Sequence, residues 1–232
     1  MDTASLDTVL VAGASGGTGR ELLRLGGSRG TTMRALTRSP DAAPELRAAG
    51  ADEVVVDDLL DPTDLSAVVA DVDAVISAVG TAASAIRSGP PFVDGTGNRA
   101  LVSAAADAGV DAFVMESAIG VGTEPASPLA RVFDAIIGPI QEAKAAAEQA
   151  IRDASLSHTI LRPGVLTNGR RTDDVTVARP GSRVWGTVSR ADVARLLLSA
   201  PVTPDAEERT FEVVATPRFP DRDARINWRM PR

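Results

Sequence analysis

Short β-branched apolar runs alternate along this chain with segments whose apolar residues recur at helical spacing. The runs over 8–12, 32–37, 53–56, 73–79, 112–115 and 157–161 read as buried strands, and 18–25, 44–49, 63–70, 95–108 and 141–153 read as helices between them. In the last of these helices Ala143, Ala146, Ala147, Ala150 and Ile151 make one packing stripe, with Lys144 beside it. Beyond 162 the signals thin to a short strand at 175–177, a helix over 191–199 begun at Ser189 or Asp192, and a last strand at 211–214. Residues 81–91, polar and Gly-Pro-bearing, read as a loop and a candidate substrate lid; 120–138, with Pro125 and Pro128, also reads as loop. Strict alternation of strand and helix from 8 to about 162 demands a parallel sheet covered by helices on both faces. The fold class is therefore α/β, a Rossmann-like doubly wound sheet in a single domain over 1–215, with a small C-terminal substrate-side extension and an unassigned tail over 216–232.

The first strand runs directly into Gly13, Ala14, Ser15, Gly16, Gly17, Thr18 and Gly19, after which Leu22, Leu23 and Leu25 resume at helical spacing. A phosphate site needs this order of strand, glycine turn and helix. Glycines let the backbone turn sharply and let a pyrophosphate approach, and the helix N-terminus offers free N–H groups and a positive dipole end. The spacing is G-x-x-G-x-x-G, and a tight turn without a ligand is the alternative reading. No Gly-Lys-Ser/Thr follows, which argues against an ATP phosphate loop.

Length and charge narrow the field. The 232 residues suit one α/β domain. A net charge of −7 disfavours a nucleic-acid backbone or an anionic membrane as partner. The first apolar run is too short for a signal peptide and no stretch approaches a membrane span, so a soluble cytoplasmic protein is expected. There is no cysteine and no tyrosine, and of the 24 basic residues Lys144 alone is a lysine.

In a dinucleotide fold the end of the second strand faces the adenosine ribose. A carboxylate there binds the 2′-hydroxyl of NAD, whereas an arginine meets the 2′-phosphate of NADP. This chain has Thr37-Arg38 and no acid, which favours NADP(H) over NAD, unless Arg38 is only a solvated loop charge. Past the third strand, Asp58 can accept from the adenine amino group and Leu59 can pack on the ring; the alternative is loop acidity or a cap, with Pro62 in the first turn of the next helix. Small residues at Ala78, Val79 and Gly80 leave room for cofactor ribose and nicotinamide. Asp94 reads as a helix N-cap and Glu116 as a loop charge. His158, with no ligand-type neighbours, reads as structural, and no metal site is expected. Lys144 and Glu148 could form an exposed i,i+4 pair, yet arginine would serve as well, so the retained lysine points to a functional ammonium.

Gly13–Gly19, Arg38, Asp58-Leu59, the Ala78-Val79-Gly80 edge, Ser117, Lys144, the run from Thr159 to Gly164 and the run from Ser189 to Ala194 come in an order that resembles the atypical short-chain dehydrogenase/reductases of the NmrA-like and biliverdin-reductase-B-like (flavin reductase-like) group. The resemblance covers about 7–215. It implies that Gly13, Ser15, Gly16, Gly17, Thr18 and Gly19 cradle a pyrophosphate, Arg38 holds the 2′-phosphate, and Asp58 and Leu59 frame adenine. It further implies that Ala78, Val79 and Gly80 line the ribose side, Pro163 and Gly164 the nicotinamide side, that Lys144 reaches the nicotinamide ribose, and that Ser117 faces the reacting centre. Standard members carry Tyr-x-x-x-Lys; here Ile140 stands four residues before Lys144. Without that phenol, an acceptor whose reduced form can take its proton from water, such as a flavin or quinone, is the expected small-molecule substrate. A non-catalytic NADP-binding sensor with a protein partner is the second expectation, and a nucleotide-sugar epimerase or dehydratase the third; a homodimer is compatible with the first two.

Overall fold

A computed structural model of the chain describes residues 6–81, 89–122, 130–182, 184–215 and 226–231, with the backbone alone described over 130–137. The six strands expected from the apolar runs all form: β1 (Thr8–Ala12), β2 (Thr32–Thr37), β3 (Glu53–Val56), β4 (Ala74–Ser77), β5 (Ala112–Glu116) and β6 (Ser157–Pro163). Three short strands follow, β7 (Val165–Thr167), β8 (Thr176–Ala178) and β9 (Thr187–Ser189), and then β10 (Arg209–Val214). The main sheet has eight strands in the order β3-β2-β1-β4-β5-β6-β10-β8, parallel except for β8 against β10; β7 and β9 pair separately. Strand order reverses between the paired neighbours β1 and β4, and in such sheets ligands bind in the crevice outside the carboxyl ends of the strands at that switch point.

Helices cover both faces because the strands are buried on both sides. On one face α1 (Gly17–Gly27), α2 (Ala43–Ala48) and α6 (Arg190–Ser199) close a core containing Leu22, Leu23, Leu46, Val193 and Leu197. On the other, α3 (Leu65–Val69), α4 (Asn98–Asp107) and α5 (Ala130–Asp153) pack Val68, Leu101, Ala147 and Ile151 on Phe113, Met115 and Ile160. Among the described residues no helix is long and apolar enough to cross a membrane.

Several boundaries differ from the sequence reading. Helix α1 continues through Gly26 and Gly27, which face Met33 and Gly50 closely. Helix α3 is capped by Asp64, whose side chain accepts from Ala67 N at 3.1 Å, so Pro62 lies ahead of the helix and not in its first turn. Helix α5 begins at Ala130, eleven residues before the expected start, and carries Pro139 inside it. A proline removes one N–H from a helix, but the flanking bonds can continue on either side. The expected cap of α6 is present: Ser189 Oγ accepts from Asp192 N at 3.0 Å. The tail, left unassigned by the sequence, returns to the core at 226–231, where Trp228 packs edge-on against Phe211 with 5.9 Å between ring centroids.

Candidate functional site

The glycine turn stands at the switch point. Gly13 has φ +77°, a left-handed conformation, and a β-carbon there would stand 2.5 Å from the Ala78 carbonyl oxygen. A β-carbon on Gly19 would run into the Gly13 carbonyl. Neither position admits a side chain. The N-cap of α1 is Gly16, no side chain caps the helix, and its first turn has no acid. The positive end of the helix is thus left for an external anion.

In front of that turn is a cleft of about 500 Å³ lined by Gly13, Ser15, Gly16, Arg38, Asp58, Leu59, Ala78, Val79 and Gly80, together with Asp57, Phe92 and Val93. Nine of the expected nucleotide-binding positions are therefore in one wall-to-wall recess. Arg38 is exposed at its rim and forms no ion pair among the described residues. Asp57 and Asp58 divide the work at the end of β3. Asp57 accepts from the N–H groups of Asp58, Thr63 and Asp64 at 2.9 to 3.2 Å; burial raises its carboxyl, but these bonds prevail and hold it below the ordinary range. Asp58 Oδ1 accepts from Leu60 N at 2.9 Å, leaving its second oxygen without a hydrogen bond among the described residues. Residues 82–88 of the expected lid lie outside the described residues; Gly89 and Pro91 border the cleft.

The rest of the expected site lies deeper, at the carboxyl ends of β4 to β6. Lys144 is not beside the packing stripe of α5 but within it. The buried face is Ile140, Lys144, Ala147, Glu148 and Ile151, while Ala146 is exposed. Nor do Lys144 and Glu148 pair with each other. Lys144 Nζ stands 2.9 Å from Asp94 Oδ1 and 3.4 Å from the Glu116 carbonyl. Asp94 is not an N-cap either: it belongs to a single π-helical turn (Val93–Gly97) leading into α4, and its Oδ2 accepts from Thr81 N at 2.7 Å. Burial raises the Asp94 carboxyl, but the Lys144 charge and these bonds outweigh it and keep it ionised. Gly95 and Ala143, each without bulk, let the turn and α5 come close enough for this pair.

Glu148 anchors the other half. It accepts from Ser117 Oγ at 2.6 Å, from Arg162 Nε and Nη2 at 2.9 and 2.6 Å, and from Arg152 at 2.7 Å. Burial raises its carboxyl, yet the two-pronged Arg162 contact and the other donors bring it below the ordinary range. Ser117 is buried, its proton committed to Glu148. Pro163 ends β6 and Gly164 follows it; the Pro163 carbonyl accepts from Ile119 N at 2.9 Å, and neither residue borders the cleft. Glu116 is no loop charge. It is buried, accepts from Thr18 Oγ1 at 3.0 Å, and burial drives its carboxyl up to about 7 against the opposing pull of Lys144, Thr18 and Arg190. His158 is buried, its Nδ1 3.1 Å from the exposed Glu208 carboxylate, and it does not border the cleft.

The sequence reading missed Asp94, Glu116 and Arg162 as parts of the site, and considered Glu148 only as the partner in an alternative exposed pair with Lys144. The available signal was the phase of α5: placing Lys144 and Glu148 on the buried face would have required two partners for them elsewhere.

The family described as NAD(P)H-binding matches residues 13–204. The chain belongs to that family. Its fold is an NAD(P)-binding Rossmann-like fold, and the similarity to relatives extends over most of this chain. "Uncharacterized sugar epimerase YhfK" of Bacillus subtilis (strain 168) is 29% identical over 206 residues, which is 88% of this chain and 92% of that protein. The solved structure named "Putative NAD-dependent epimerase/dehydratase" from Bacillus halodurans is 31% identical, superposes with a TM-score of 0.76, and covers 89% of this chain and 93% of its own. ChuY, an anaerobillin reductase from Escherichia coli O157:H7, is 24% identical with a TM-score of 0.75 over 94% of this chain and 100% of its own, a likeness of fold.

Proposed function

We propose that this NAD(P)H-binding protein is an NADP(H)-dependent reductase of the atypical short-chain type that acts on a small planar acceptor, a flavin or quinone being the class its site suits. The observation that carries this reading is the joining, in one cleft, of an uncapped glycine helix N-terminus and an Arg38 that forms no ion pair among the described residues, with no carboxylate at the end of β2. The side-chain-free approach at Gly13 and Gly19 fits a pyrophosphate, which a β-carbon at either position would exclude. Arg38 suits a 2′-phosphate, and Leu59 with Asp58 suits adenine.

When bound, the nicotinamide supplies hydride. The chain's own residues would bind and orient it. Lys144, held by Asp94, would present an ammonium to the ribose hydroxyls of the reactive half. Ser117 donates to Glu148, so toward an acceptor it offers lone pairs and receives an N–H or O–H. No phenol is available: Ile140 occupies the position four residues before Lys144. The reduced acceptor takes its proton from water.

The test is NADPH oxidation against a panel of flavins and quinones. Turnover with at least one acceptor supports the reading. Tight NADPH binding with no turnover across the panel replaces it with a nucleotide sensor, which the missing phenol and the commitment of Ser117 to Glu148 favour as second reading. The epimerase names of two relatives attach a third, which the absence of tyrosine weakens.

A further inference from the structure

We infer that Arg190, from the start of α6, is a pyrophosphate contact of the same nucleotide site, completing from the far end of the chain a cradle that begins at Gly13. The inference rests on the cofactor reading above. Its geometric basis is the position of the Arg190 side chain across the first turn of α1. A β-carbon on Gly17 would stand 2.5 Å from Arg190 Cδ, 2.7 Å from Nε and 3.5 Å from Cζ. The guanidinium is therefore laid over the first residue of the uncapped helix, where the N–H groups that receive a phosphate are found. Of its five N–H donors, one is used within the described residues: Nη1 donates to Asn168 Oδ1 at 2.7 Å. No carboxylate stands within ion-pair distance of it among the described residues, in a chain that carries seven more acids than bases.

Two other features give the arrangement direction. Asn168, just past β7, fixes one prong of the fork, so little side-chain freedom is left to lose on binding. Below it, buried Glu116 holds Thr18 Oγ1, and Arg190 with Lys144 supplies the positive field around that carboxyl. A half-buried arginine over a positive helix end, with no carboxylate at ion-pair distance among the described residues, is electrostatically favoured by an arriving anion. A pyrophosphate supplies two. The second glycine of the Gly16-Gly17 pair gains its reason here: it makes room for Arg190, whereas Gly13 and Gly19 make room for backbone.

The experiment separates the two anionic ends of the cofactor. NADPH, ADP-ribose and 2′-AMP are titrated calorimetrically against the wild type, Arg190→Gln, Arg190→Lys and Arg38→Ala. 2′-AMP carries the 2′-phosphate and no pyrophosphate; ADP-ribose carries the reverse. Arg190→Gln is expected to weaken NADPH and ADP-ribose roughly ten- to hundredfold, the range of a charge-assisted bond, and to leave 2′-AMP unchanged. Arg190→Lys recovers part of the loss, and Arg38→Ala shows the opposite ligand pattern. Equal weakening of all three ligands by Arg190→Gln, or none, overturns the inference while leaving nucleotide binding intact. Failure of all three to bind the wild type overturns the cofactor reading and the inference with it. Thermal melting of each variant without ligand identifies any that does not fold, and Asn168→Ala then replaces it: freeing the guanidinium should weaken ADP-ribose several-fold with 2′-AMP unchanged, and equal effects on both contradict the assignment.

Discussion

Replacing Glu116 by glutamine should make the folded protein less sensitive to pH. In the fold its carboxyl is buried, meets Thr18 Oγ1 at 3.0 Å, and is raised from an ordinary value of 4.5 to about 7. The folded state therefore keeps a proton that the unfolded chain gives up. Between about pH 4.5 and 7 folding binds that proton, so each rise in pH within this window costs stability, and above it the loss is complete. At 1.36 kcal/mol per pH unit the gap corresponds to about 3 kcal/mol between pH 4 and pH 8. Glutamine has the same shape and can still accept from Thr18, but does not titrate. Urea denaturation at half-unit steps from pH 4.5 to 8.5 gives the difference in unfolding free energy between Glu116→Gln and wild type. That difference should rise with pH by about 3 kcal/mol and level off near pH 8. A difference that stays flat across the range would refute the claim that this carboxyl is folded in its neutral form.

Other outcomes follow from the same structure. Glu148→Ala leaves Arg162 buried without its partner and should lower stability by about 3–5 kcal/mol in urea denaturation, while Arg152, being partly exposed, finds water. Asp94 and Glu148 are both held below the ordinary carboxylate range, so their contribution is present above it and is lost as the pH falls through it; a melting temperature that drops on acidification less in Glu148→Gln than in wild type checks the sign. Gly19→Ala forces a β-carbon onto the Gly13 carbonyl and should abolish NADPH binding measured by fluorescence quenching, at any nucleotide concentration that saturates the wild type. Ser117→Ala removes a bond to a buried carboxylate and should reduce acceptor turnover about tenfold with NADPH affinity unchanged.

The wall of the cleft around the glycine turn was legible in the sequence and the buried charge network beside it was not, for physical reasons. The turn after β1 is encoded locally: strand, glycines and helix are contiguous, and the glycines are required by backbone approach within the same dozen residues. Arg38, Asp58 and the Ala78–Gly80 edge are likewise strand-end positions whose direction follows from the alternation of the sheet. The phase of α5 was not encoded in this way. Alanine is indifferent to burial, so a stripe drawn through Ala143, Ala146 and Ala150 competes evenly with one through Ile140, Lys144, Ala147, Glu148 and Ile151. What decides is the presence of Asp94, fifty residues earlier, and Arg162, fourteen later, to receive the two charges. The same holds for Glu116, whose partner Thr18 is 98 residues away. The early start of α5 at Ala130 was hidden by Pro139, which reads as a breaker but stands within the helix. The return of 226–231 to the core rests on Trp228 meeting Phe211 and Arg229 N meeting Thr203 Oγ1 at 2.9 Å, contacts no local pattern announces.

The central claim is that the cleft between β1 and β4 takes NADP through Arg38. Titration of NADPH and NADH into wild type and Arg38→Ala tests it most directly. The account predicts that NADPH binds wild type more than about tenfold tighter than NADH, and that the variant loses that gap while its NADH affinity is unchanged. Equal affinities in the wild type would contradict the role of Arg38, and binding of neither nucleotide would leave the glycine turn a turn and nothing more.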